Sequence, residues 1–245
     1  MGVETIILLL IASTIASIVQ RVSGFGFGIF IMTMLPYIMP TYPEATALSA
    51  ILAGTLSVMV VVQLWRYINL KHLLPILTAF FVSSWLAIQF LQYIDEKMMQ
   101  IIFGAVLIIL SIYFFVISDR VHVKPYIWVQ AILGSVSGVM GGLFNMQGPP
   151  AILYFVASEK DKEHYLAITQ AYFLVGNMFM TVVRYFKGYL TETVGWGYLY
   201  GLAGVFIGFF IGMEIFKRVS THLLRKLVYG FMAVSGIYSI VMALT

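Results

Sequence analysis

Of the 245 residues, 61% are hydrophobic and 10% charged, with a mean hydropathy of +0.98, too few charges to cover a water-soluble surface. The composition dictates an integral membrane protein. The net charge of +4 is spread over short segments between apolar runs rather than gathered on one face, which excludes nucleic acid as a partner, and with no cysteine neither a disulfide framework nor a thiolate metal site is available.

The first apolar run, Val3 to Gln20, holds 18 residues, about 27 Å as a helix and close to the thickness of a bilayer core. The residues before it carry Glu4 and no basic side chain, and no small-residue cleavage site follows, so it reads as mature protein rather than a signal peptide. After Arg21 comes Ser23-Gly24-Phe25-Gly26-Phe27-Gly28, then a short apolar segment, Ile29 to Met39, interrupted by Pro36. Pro40 to Pro43 predicts a turn, and Glu44 stands where an acidic side chain favours a helix start. A third segment runs from about Ala45 to Trp65 and, after the polar loop Arg66 to His72, a fourth from Leu73 to Tyr93. Asp95-Glu96-Lys97 marks a turn before the fifth, Met98 to Ile117.

The order then repeats: Tyr126 to about Ser137, a break, Pro149 to Ala157, a charged loop, Tyr165 to Val183, Val194 to Phe216 and Leu223 to Leu244. Gly197, Gly201, Gly204, Gly208 and Gly212 form a small-residue stripe that lets another helix approach closely. A shift of 114 positions superposes Val22, Ser23, Gly24, Gly28, Phe30, Met32 and Pro36 on Val136, Ser137, Gly138, Gly142, Phe144, Met146 and Pro150. The expected fold is therefore all-α and polytopic, with residues 1–118 and 126–245 as homologous transmembrane repeats, 119–125 as a linker, and one integral membrane domain overall.

If each short second segment returns as a hairpin, eleven of the fourteen Lys and Arg fall on one side and Lys97, Arg184 and Lys187 on the other, a clear positive-inside bias. If it does not return, the split is six to seven. The hairpin reading gives a 5+5 inverted repeat with broken or re-entrant elements, preferred here over a parallel 4+4. Inverted repeats place substrate at broken helices near the membrane midplane.

Gly24, Gly26 and Gly28 together, and Gly138, Gly141 and Gly142 beside Ser137, would unwind a helix and bare backbone N–H groups that bind an anion. The competing reading is close packing, since Gly24 with Gly28 and Gly138 with Gly142 both have the GxxxG spacing. Asn145 and Gln147 stand in an apolar run and must find partners, either neighbouring helices or a substrate oxygen. Gln170 and Asn177, seven apart, share one helix face, as interhelical glue or as cavity lining. Arg21 and Arg184 either snorkel to the interface or, if deep, serve as counter-charges to a substrate. The sequence assigns no metal site, cofactor or catalytic constellation. An enzyme or assembly factor is thus disfavoured, and the candidate partners are the bilayer, a small anion and, as an open alternative, a second copy of the chain in a homo-oligomer.

Ser23 to Gly28 with Pro36, and Gly141-Gly142-Leu143-Phe144 leading to Gly148-Pro149-Pro150-Ala151-Ile152-Leu153-Tyr154, resemble the paired signatures of the sulfite exporter TauE/SafE family, also called toluenesulfonate uptake permeases. The resemblance covers nearly the whole chain. It implies a secondary transporter in the cytoplasmic (inner) membrane that moves small sulfur-containing anions such as sulfite, sulfoacetate or other organosulfonates. A passive anion channel using the same donors is the alternative. Where the family commonly has further small residues this chain has Asn145 and Gln147, which makes those amides the first candidates for specificity.

Overall fold

The computed structural model describes residues 2–117, 126–159, 161–218 and 221–244, apart from the side chains of 117, 162, 217–218, 221–225 and 227; the expected linker 119–125 lies outside the described residues. Every described element is helical. In chain order they are α1 (Val3–Ser23), α2 (Phe27–Ile31), α3 (Leu35–Ile38), α4 (Tyr42–Leu64), α5 (Leu70–Phe90), α6 (Glu96–Ile112), α7 (Ile127–Phe144), α8 (Gly148–Ser158), α9 (Lys162–Phe186), α10 (Glu192–Arg218) and α11 (Thr221–Leu244). Among the described residues seven helices, α1, α4, α5, α6, α7, α9 and α10, are long and apolar enough to cross a membrane.

Polar residues set the helix starts. Thr41 accepts the Glu44 amide, Asn69 that of Lys71, Asp95 that of Met98 and Asp161 that of His164, each supplying an acceptor to a donor the first turn leaves unpaired. Ile29 to Met39 does not form one helix. It divides into α2 and α3 around Met32–Met34, with Pro36 in the first turn of α3, so the segment is too short to span as it stands.

One boundary differs from the sequence reading. The helix expected to stop at Ser137 continues through Gly138, Gly141 and Gly142 to Phe144, and the chain breaks at Asn145–Gln147 instead. The glycines explain it. A Cβ on Gly138 would lie 2.6 Å from the Phe80 carbonyl oxygen, and one on Gly142 2.6 Å from the Ala87 Cβ and 2.8 Å from the Ser84 carbonyl oxygen, so both serve the approach of α7 to α5.

The principal pairings all cross the middle of the chain: α1 with α10, α5 with α7, α4 with α9 and α6 with α11. Gly204, Gly208 and Gly212 of α10 meet Leu10, Thr14 and Ile18 of α1 in rising order, so those two helices run in the same direction, as do α5 and α7. By contrast, Gly54 meets Asn177 while Ser57 bonds Gln170, and Gly104 meets Gly236 while Ser111 bonds Tyr229. Hence α4 and α9 are opposed, and so are α6 and α11.

The stripe on α10 is expected to be intolerant of a side chain at Gly208, and Gly195, on the same helix but outside the stripe, is expected to be tolerant. A Cβ at Gly208 would stand 2.2 Å from the Thr14 carbonyl oxygen, whereas Gly195 has nothing within 4 Å. Gly208→Ala should lower stability by about 1–3 kcal/mol, while Gly195→Ala should gain up to about 1 kcal/mol; thermal unfolding of the purified protein reads both.

Candidate functional site

The two breaks are built alike from different residues. At the first, α1 ends on Gly24 in the left-handed region (φ 88°), whose amide bonds the Gln20 carbonyl, and Gly26 (φ 104°) then reverses the chain into α2. At the second, α7 ends on Asn145, also left-handed (φ 56°), with the Asn145 amide on the Gly141 carbonyl and the Met146 amide on that of Met140. Asparagine is the side chain that most readily replaces glycine there. The breaks touch: Gly28 stands so close to Asn145 that an added Cβ would fall 2.0 Å from its carbonyl oxygen, and Gly148 meets Phe25.

Side chains close the first break. Gln20 accepts the Phe27 amide at 3.3 Å and donates to Gln170 at 3.2 Å and Ser57 at 3.4 Å, while Gln170 donates to the Gly24 carbonyl at 2.9 Å and accepts from Ser57 at 3.2 Å. Gln170 therefore holds the break. Ser23 bonds back to the Val19 and Phe25 carbonyls, and Ser137 donates to the Gln147 carbonyl while accepting from Tyr172 at 2.7 Å. Neither serine lines the space between the breaks.

That space is a cavity of about 20 Å³, room for a single water, bordered by Gln20, Gly26, Gly28, Asn145, Gln147 and Asn177 together with apolar neighbours. Asn145 donates to Ser49 at 2.8 Å and Gln147 to the Phe173 carbonyl at 3.3 Å. The opposite face of each amide is unused: Asn145 Oδ1, Gln147 Oε1 and Asn177 Oδ1 are all buried without a hydrogen-bond partner. Such a group is costly away from water, and all three residues line the one cavity. An amide presents oxygen or NH2 after a half-turn, so the set can answer either an acceptor or a donor. Backbone donors are fewer than expected. Of the α2 first-turn amides, Phe27 is taken by Gln20, leaving Gly28 and Ile29, and at α8 Pro149 and Pro150 have no N–H to give.

Gly24, Gly26, Gly28, Asn145, Gln147, Gln170 and Asn177 are brought together by this arrangement, Gly24 and Gln170 as its frame. Gly138 and Gly142 are spent on α5, and Gly141 packs between Phe80, Gln147 and Met180. Arg21 lies apart, its guanidinium 5.6 Å from the Phe209 ring and 5.4 Å from the Phe216 ring of α10. Gln20, Ser49 and Ser57 were not singled out in the sequence; Gln20 ends an apolar run beside an arginine and reads there as the start of a polar boundary.

A family model described as "Sulfite exporter TauE/SafE" matches residues 9–239, almost the entire chain. The chain belongs to the TauE/SafE family. That makes it a member of a family of membrane transporters of sulfur anions, in agreement with its seven apolar spans. Compared with curated proteins and with solved structures, it matches none.

The network and the cavity are separable by stability. Gln170→Leu strands the Gly24 carbonyl, Gln20 and Ser57 and should cost on the order of 3 kcal/mol, whereas Asn177→Leu removes an unpartnered oxygen and should cost less than about 1 kcal/mol. Thermal unfolding of the two variants side by side checks the difference.

Proposed function

We propose that this TauE/SafE member is a secondary transporter of the cytoplasmic membrane that carries a small sulfur-containing oxyanion, held where the two helix breaks meet. The observation that carries the reading is that three residues whose amide oxygens are unpartnered, Asn145, Gln147 and Asn177, line one cavity between those breaks. The family supplies the class of solute. The Gly28 and Ile29 amides and the NH2 groups of the side chains would meet its oxygens, and the amide oxygens would take a hydroxyl hydrogen if the anion carries one. At about 20 Å³ the cavity is a contracted form, and the anion enters as the breaks separate.

Residues 1–118 and 126–245 are, on this proposal, inverted repeats of one membrane domain. Helices paired with their own counterparts across an axis in the membrane plane must be opposed, and α4 with α9 and α6 with α11 have that relation. Because all the main pairings join the halves, the bodies that rock to alternate access each contain helices of both halves.

Transport of radiolabelled sulfite into proteoliposomes tests the site. Asn177→Leu, and Asn145→Gly, which keeps the left-handed backbone, should each slow uptake by about tenfold to a hundredfold, the loss expected for one hydrogen bond to a charged solute. Wild-type rates in both variants would remove the amides from the transport path. Saturable counterflow of label is expected of the carrier; ohmic current without counterflow would make the protein a passive channel.

A further inference from the structure

Beyond the cavity, α9 carries a third polar residue in register with the other two. Gln170, Asn177 and Arg184 are spaced by seven, lie on one helix face and are 1%, 2% and 0% exposed. Arg184 is thus about 10 Å further along the axis than Asn177. The sequence reading allowed it to snorkel, but its side chain turns inward. Nη2 donates to the Gly141 carbonyl at 3.2 Å and the Gly142 carbonyl at 3.0 Å, at the end of α7 that leads into the second break.

Those two bonds use two of the five guanidinium N–H groups. Nε and Nη1 are buried without a partner, and so are the hydroxyls of Tyr189, whose amide bonds the Arg184 carbonyl at 3.0 Å, and of Tyr42, in the same first turn of α4 as Glu44, which reaches Thr191 two residues beyond Tyr189. No carboxylate answers them. Among the described residues no ion pair within 4.0 Å involves Arg184, and Glu44, the nearest acid in sequence to Tyr42, accepts instead from Thr41 at 3.0 Å and Thr191 at 2.6 Å. Carbonyls at the end of α7 offset part of the charge, yet three guanidinium N–H groups and two hydroxyls, each able to donate, are left without a partner. What these groups lack is an acceptor, which a small anion would supply.

We propose that Arg184, Tyr42 and Tyr189 form a second binding station for a small oxyanion, separate from the cavity and adjoining the second break. The inference deepens the transporter reading: the anion is taken from solution by a charge at this station and passed along the α9 face to neutral amides. The unpartnered Nε–H and Nη1–H groups lie on different edges of the planar guanidinium, so each can donate to an anion oxygen singly. Tyr189 sits on the Lys187–Thr191 connection, with its amide on the Arg184 carbonyl and Gly188 in the left-handed region (φ 74°), so that connection is anchored to Arg184. Under the eleven-to-three distribution of basic residues, Arg184 and Lys187 are two of the three cations on the cation-poor side.

Sulfite-dependent thermal stabilisation of the full-length purified protein tests the station, since a ligand that binds only the folded form raises Tm with its concentration. The double variant Tyr42→Phe/Tyr189→Phe removes two unpartnered hydroxyls, so its ligand-free Tm should stay the same or rise. The sulfite concentration for half-maximal stabilisation should increase at least about tenfold in it, and as much or more in Arg184→Lys, whose ammonium can still meet the α7 carbonyls. Asn145→Gly should keep this dependence while its transport is slowed as above. Unchanged half-maximal concentrations in both station variants, or no sulfite-dependent shift in the unmodified protein, would overturn the station and leave Arg184 as a cap of α7. Normal transport by Asn145→Gly and Asn177→Leu with an intact station effect would instead overturn the amide cavity alone.

Discussion

A helix broken inside hydrocarbon has no water to bond its loosened amides and carbonyls, so protein groups must do so. In this chain the burden falls on α9. Gln170 seals the break after α1, Asn177 faces the junction, and Arg184 holds the last carbonyls of α7. One face of one helix thus fastens the end of a helix from each half of the chain. Without that face neither break would be tolerated, and the space between them would have no fixed shape.

Much of this was legible because hydropathy, turns and caps are local properties. The long apolar segments, the turns at Pro40–Pro43 and Asp95–Lys97, the short second segment with Pro36 and the amides Asn145, Gln147 and Asn177 all carry their own signal. The second break was placed two turns early for a physical reason. The 114-residue match aligns Gly24 with Gly138, whereas the helices end alike at Gly24 and Asn145, which are 145 − 24 = 121 positions apart. The difference of seven residues is about two helical turns, so the same face returns and its small residues coincide although their tasks differ. Glycine allows a reversal at Gly26 and close helix contact at Gly138 and Gly142, and only the neighbouring helix tells the two uses apart.

What the residues alone could not supply were tertiary partners. Gln20 becomes part of the site because Ser57 and Gln170 come from two other helices. Arg184 looks like an interfacial residue at the end of a span until the carbonyls of Gly141 and Gly142 are placed against it. Both are long-range meetings, 37 to 150 residues apart for the contacts among Gln20, Ser57 and Gln170, and no local pattern encodes them.

The interlocking of the halves bears on how the protein is made. Since α1, α4, α5 and α6 each find their main neighbour after residue 126, the first part of the nascent chain leaves the ribosome with its four long helices unmatched in the bilayer. Assembly has to wait until α7, α9, α10 and α11 have been inserted among them, which makes completion of synthesis, rather than completion of either half, the step at which the molecule becomes stable.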